Sequence, residues 1–234
     1  MVVDPDNIKI YRCATWTEGT THGGDIDTEN EIPDATAQNV FDNVTDQERI
    51  DGDTEYRKVF FRNENADNWA NLLGILTQNT PATNTGISIL AGGSKSKQSV
   101  DSDALSGTFT FTNGGSSVTA STDVSQECRP GEKIFNSDDD INTSAVAIAS
   151  ISSDGLTITL VGNYSGTGGS GKAAKLAPIT ASSFVTPDSY EHADALVLGT
   201  LAEDEYIAVW HKRTVSAAGN GYDADNWITS VKSS

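Results

Sequence analysis

Along most of this chain apolar and polar residues alternate one for one over short stretches, and clusters of turn-forming residues separate those stretches. Residues 7–16, NIKIYRCATW, read this way, and residues 55–62, EYRKVFFR, entered through the turn Asp51-Gly-Asp53, form a further aromatic, β-branched stretch between turns. A period of two sends successive side chains to opposite faces, so each stretch predicts a β-strand. Residues 72–77 and 86–90 predict two more, with the breaker QNTPATNTG between them. Residues 17–35 are polar with a Gly-Gly pair and predict a loop, while residues 36–50, carrying Val40, Phe41 and Val44, predict a short helix or an irregular strand. Sustained apolar repeats at i, i+3 and i+4 are few, so the pattern predicts an all-β chain.

Near residue 91 the texture changes. Residues 93–104 are small and polar and predict a linker. Residues 105–176 predict hairpins, with strands at 107–113, 116–121, 131–136, 145–151 and 156–162 and tight turns at Asn113-Gly-Gly115 and Asp154-Gly155. That segment holds 10 of the 21 glycines and none of the four tryptophans. Beyond it the chain regains aromatics and charge, with predicted strands at 195–202, 205–215 and 226–232. Trp16, Trp69, Trp210 and Trp227 therefore flank the middle on both sides, and large aromatics dominate core burial. The expectation is a discontinuous β-sandwich, Ig-like or jelly-roll-like, from residues 1–92 and 177–234. A small β-barrel or β-hairpin domain is inserted at 105–176. The strands holding Tyr56, Val59, Phe61 and Trp210 are the most aromatic, so these four side chains are expected to pack together.

Charge narrows the function classes. The 234 residues carry a net −18, of which the middle segment contributes −3. So acidic a surface repels nucleic-acid phosphates and anionic membranes, and both are excluded as expected partners. No apolar run approaches the ~18 residues of a membrane span. The first residues, MVVDPDNIKIYRC, lack a basic stretch followed by an apolar one, which predicts a soluble protein made in a cytoplasm. Two cysteines, Cys13 and Cys128, are too few for a disulfide scaffold and are expected to be free thiols.

Catalytic patterns are missing. His22, His192 and His211 are scattered, and His211 reads as a half-exposed structural residue. No nucleophile elbow, HExxH or Walker loop occurs. The run Gly166-Thr-Gly-Gly-Ser-Gly171 lacks the Lys-Ser/Thr pair of a phosphate cradle and predicts a flexible connection. No catalytic residue, cofactor or assigned metal is therefore expected. Two acidic turns, with Asp51 and Asp53 in one and Asp138 and Asp140 in the other, place carboxylates close enough to share a hard cation such as calcium. A solvated turn is the plainer reading of both. Nothing singles out a carboxylate pair for glycoside hydrolysis.

Several stretches together resemble a family of tailed-phage virion structural proteins. They are Thr21-His-Gly-Gly24, Val40-Phe-Asp-Asn-Val-Thr45, Gln47-Glu-Arg49 and Glu55-Tyr-Arg-Lys58, then residues 186–200 and 209–228 with the strand Lys212-Arg-Thr-Val215. The middle is similar to a recurring phage β-module through Gly107-Thr-Phe-Thr-Phe-Thr-Asn-Gly114, Pro130-Gly-Glu-Lys-Ile134 and Tyr164-Ser-Gly-Thr167, with Glu132 where Asp is more usual. The resemblance implies a non-enzymatic virion component in the tail, baseplate or collar region. Its implied partners are other virion proteins and further copies of itself. A capsid decoration protein and a carbohydrate-binding module for host recognition, the latter needing exposed tryptophans, are the alternatives; a glycan-degrading enzyme is the third. The motifs are turn and strand residues and carry over no catalytic residue.

Overall fold

The computed structural model describes residues 4–33, 39–78, 85–91, 100, 103–188, 195–217 and 228–233. In chain order the elements begin with β1 (Ile8–Thr15), β2 (Gly23–Glu31), the short helix α1 (Asp46–Asp51), β3 (Asp53–Asn63), β4 (Trp69–Gln78) and β5 (Thr85–Ala91). Then come β6 (Asp103–Ala104), β7 (Phe109–Phe111), β8 (Ser117–Ala120), β9 (Lys133–Asn136), α2 (Ile141–Ser144), β10 (Val146–Ile151) and β11 (Thr157–Leu160). The chain continues with β12 (Gly169–Lys172), β13 (Ala174–Leu176), β14 (Leu196–Leu201), β15 (Tyr206–Val215) and β16 (Ile228–Ser233). The fold is all-β, and the chain divides into two compact units. The first comprises Met1–Glu18, Ile26–Ala91 and Phe184–Ser234, and the second Gly19–Asp25 and Gly92–Ser183.

In the first unit a five-stranded sheet runs β2-β1-β3-β15-β5 and a three-stranded sheet runs β14-β4-β16. The paired strands whose register is resolved run antiparallel, and β3 meets β15 over ten consecutive pairs, from Tyr206 opposite Arg62 to Val215 opposite Asp53. One apolar cluster draws on both sheets: Val59, Phe61, Ile87, Ile89 and Val209 from the larger, Trp69, Leu72, Leu76 and Leu198 from the smaller. Trp210 is fully buried, but it stands directly opposite Lys58 and so shares the other face of β3. There the Lys58 ammonium lies 5.0 Å from the Phe60 ring centre and 5.9 Å from that of Trp210. Tyr56 is in phase with Trp210, whereas Val59 and Phe61 are not. The alternation that marks the strand therefore splits the expected aromatic cluster across two faces.

The second unit contains an eight-stranded sheet ordered β12-β7-β8-β11-β10-β9-β13-β6. Its terminal strands do not pair, so among the described residues the expected small barrel is an open sheet. Strands β8 and β11 alternate exposed and buried positions, and the buried ones, with Phe109, Phe111, Ile134 and Tyr164, form one cluster. The Asn113 and Asp154 turns both close hairpins, with Gly115 N–H donating to the Thr112 carbonyl and Gly155 N–H to that of Ser152, each at 2.9 Å. Gly155 has φ +69°, and a Cβ there would lie 1.7 Å from Asp123 Oδ1, so only glycine fits.

Two expectations fail locally. β2 forms where a loop was predicted, because an edge strand with little buried surface needs only Ile26 for apolar contact. The end of the glycine run, Gly169–Gly171, falls in β12, paired with β7. The expected linker is structured where it is described: Val100 is buried and donates to the His22 carbonyl at 3.1 Å, and β6 pairs with β13.

The first unit leaves β5 at Ala91 and resumes beside it, since Val185 and Ile89 exchange backbone hydrogen bonds of 2.8 and 2.9 Å. Replacing residues 92–183 with a short Gly-Ser linker is expected to leave a first unit that unfolds cooperatively and keeps its tryptophan near-UV dichroism. A chain without a cooperative transition contradicts that independence.

Candidate functional site

Glu55, Arg57, Val59 and Phe61 follow one another on one face of β3. Across the ladder they face Arg213, His211, Val209 and Ile207, and beyond Arg213, His211 and Val209 on β5 stand Ile87, Ile89 and Ala91. One continuous face thus changes from apolar to charged within two residues, and the charged end is buried as completely as the apolar one: Glu55, Arg57, His211 and Arg213 are all inaccessible.

What makes this tolerable is mutual neutralisation. The Glu55 carboxylate is shared by two guanidiniums, Arg57 at 3.2 Å and Arg213 in close contact. Arg57 also reaches Glu18 at 3.6 Å, and Arg213 reaches Asp42 at 3.2 Å and Glu48 at 3.9 Å. The Phe41 ring serves both cations, 5.4 Å from the Arg57 guanidinium and 5.0 Å from that of Arg213. A capping box places Glu48: the Thr45 hydroxyl accepts from the Glu48 backbone, and the Glu48 carboxylate accepts from the Thr45 N–H. Residues 39–51 are thereby fastened over the charged end.

The ionisation of these groups reflects burial. Desolvation raises the Glu55 carboxyl above its ordinary range and outweighs the opposing pull of Arg213 and Arg57. His211 is pushed down to about 4 by burial, so at neutral pH it is an uncharged imidazole, its Nε2 3.1 Å from Thr229 Oγ1. It is a fully buried residue and not the half-exposed one its strand suggests.

Carboxylate oxygens of Glu48, Asp53 and Glu55 lie within 4.8 Å of one another, and so do those of Glu18, Asp42 and Glu55. The guanidiniums of Arg57 and Arg213 already occupy this neighbourhood, so the groups are balanced by the chain's own cations. Of the calcium candidates only Asp53 joins such a group. Asp51 instead accepts from the Gln47 amide at 2.5 Å. Asp138 pairs with Lys172 at 3.3 Å, and Asp140 caps α2 through the Asn142 N–H at 2.9 Å.

Between those two, Asp139 accepts from the Tyr164 hydroxyl and, at 2.8 Å, from the Thr167 N–H. Burial works to raise its carboxyl, but these hydrogen bonds and Lys172 outweigh it and hold the group low. Burial together with Asp139 pushes the Tyr164 phenol up to about 12. A Cβ on Gly166 would lie 2.2 Å from Asp139 Oδ2 and 2.4 Å from the Tyr164 oxygen, which explains a glycine there. The recess beside this contact, about 330 Å³, is lined by Asn113, Asp139, Asp140, Thr143 and Ser165 among others. Both cysteines are buried thiols, and desolvation holds the Cys128 thiol above its ordinary range, which disfavours the reactive thiolate.

Sequence reading overlooked the charged cluster, although its signal is present. In EYRKVFFR, Glu55 and Arg57 have the same phase as Val59 and Phe61, and a charge in an inward phase needs a partner. Comparison with protein-family models, with curated proteins and with solved structures finds no match.

His211 supplies a pH signature. Its folded value of about 4 lies below the ordinary 6.5, so its stabilising contribution is complete above pH 6.5 and is lost as pH falls through 4. Between pH 7 and pH 4 the native protein is expected to lose about 3 kcal/mol more stability than His211→Gln in urea unfolding. Identical pH dependence in the two proteins contradicts this.

Proposed function

We propose that this protein is a non-enzymatic structural component of a tailed-phage virion, in the tail, baseplate or collar region, acting by contact with other virion proteins and with copies of itself. The sequence resemblance at residues 21–68, 107–167 and 186–228 is what suggests the particle. The observation that carries the mode of action is that the groups best suited to chemistry are committed to the interior. Glu55, Arg57, Arg213 and His211 are buried in a self-neutralised cluster, and Trp69 and Trp210 are buried in the first unit.

The acidic excess lies elsewhere. β2, at one edge of the five-stranded sheet, carries Asp25, Asp27, Glu29 and Glu31. Charge on an edge strand opposes uncontrolled strand-to-strand association, which suits a part that must stay dispersed until it docks. Like charges on separate copies repel over a Debye length of ~8 Å at physiological salt, so a less acidic neighbour is favoured over self-association. A capsid decoration protein would use the same properties. A carbohydrate-binding module built on a platform of exposed tryptophans fits less well, since among the described tryptophans Trp69 and Trp210 are buried and Trp16 is half-buried.

Imaging of particles with this protein labelled should place it on the tail, baseplate or collar. The isolated protein is expected to remain a monomer or small oligomer by light scattering at low salt, and to leave host polysaccharide undigested. Filaments at low salt would contradict the charge account, and measurable glycan cleavage would contradict the structural role.

A further inference from the structure

We propose that the pocket beside the buried ion pairs of the first unit binds one unit of an uncharged saccharide, without turnover. The pocket is about 350 Å³, within the range of small-molecule clefts. Its charged lining is balanced, with Arg12 and Arg57 against Glu18 and Asp42. An anion would meet the two carboxylates and a cation the two guanidiniums, so the lining favours a ligand that is neutral and both donates and accepts hydrogen bonds. Vicinal hydroxyls do that, and a sugar ring adds a C–H surface for the apolar part of the lining, Trp16 and Val40.

The polar groups are also held in place before any ligand arrives. Arg57, 4% exposed, is held by Glu18 and Glu55 at 3.6 and 3.2 Å and donates to the Tyr56 carbonyl at 3.1 Å, so it forms a rigid wall that holds Glu18 in place. The Trp16 ring is braced by guanidiniums 5.0 Å away in Arg12 and 5.9 Å away in Arg57. Asn39, a further lining residue, donates its amide to the Pro33 carbonyl at 2.7 Å, which sets the orientation of its side chain. By contrast the carboxylates of Glu18 and Asp42, 69% and 59% exposed, stand at the open side as acceptors. The half-buried Arg12 guanidinium as donor, the exposed carboxylates of Glu18 and Asp42 as acceptors and the Trp16 ring form a small built site. Saccharide binding here does not depend on the protein's place in a particle.

The test titrates the whole protein with lactose, maltose, cellobiose, chitobiose and mannobiose up to about 10 mM, following tryptophan fluorescence and heat. At least one disaccharide is expected to bind with Kd of about 1 mM. Glu18→Gln should weaken that binding about tenfold, the loss of a hydrogen bond to a charged group, in a protein that still unfolds cooperatively well above the assay temperature. Trp16→Leu should remove it, and Asp139→Asn, in the recess of the second unit, should leave it intact. If Trp16→Leu fails to fold, Glu18→Gln decides alone. Absence of binding by all five sugars overturns the proposal, as does binding that survives in Glu18→Gln at full strength. Preferential binding of arginine amide or sulfate at Trp16 overturns it as well.

Discussion

The buried carboxylate of Glu55, shared between Arg57 and Arg213, is the contact on which the first unit is organised. Taking three charges out of water costs several kcal/mol for each ion, and only close mutual neutralisation offsets this. The neutralisation reaches past the sheet. Arg57 draws in Glu18 from the end of β1, and Arg213 draws in Asp42 and Glu48, so the loop at 39–45 and helix α1 are held by the same two cations. Phe41 is buried against both guanidiniums. Few buried apolar residues anchor residues 39–51: Phe41 is buried and no α1 residue is, so the ion pairs do what a hydrophobic staple does elsewhere.

The same arrangement bears on function. An interior that uses its own bases to neutralise its own acids leaves an acidic exterior, and the net −18 is then expressed toward solvent and neighbours. A turn-dense β protein of this kind is well suited to packing beside other subunits while remaining dispersed beforehand. At the rim of the cluster the cations and anions that remain accessible become a neutral, donor-and-acceptor lining beside Trp16. Fold and pocket are two consequences of one set of charges.

Much of this was legible in the sequence. Runs of aromatic and β-branched residues in 55–62 and 205–215 mark β3 and β15, and Asn113-Gly114 and Asp154-Gly155 mark two hairpins, because both signals are local. β2 was illegible because an edge strand has few apolar contacts to demand apolar residues, and β12 because glycines hide a ladder that only its partner β7 reveals. The charged cluster is a different case. Its members lie at positions 18, 42, 48, 55, 57 and 213, and no local pattern joins residues so far apart. The phase of Glu55 and Arg57 in their strand announced that partners must exist, without naming them. The acidic turns at Asp51 and Asp138 stand out because their charges are adjacent in sequence, yet Asp138 and Asp140 have separate partners in Lys172 and Asn142.

A double-mutant cycle on Glu55→Gln and Arg213→Met, read by chemical denaturation at pH 7, tests the central claim most directly. Each single substitution leaves a buried charge short of its partner and should cost about 3–5 kcal/mol. The double variant should cost at least about 2 kcal/mol less than the two singles together. Single costs that are small, or that simply add, would contradict a structure organised on this pair.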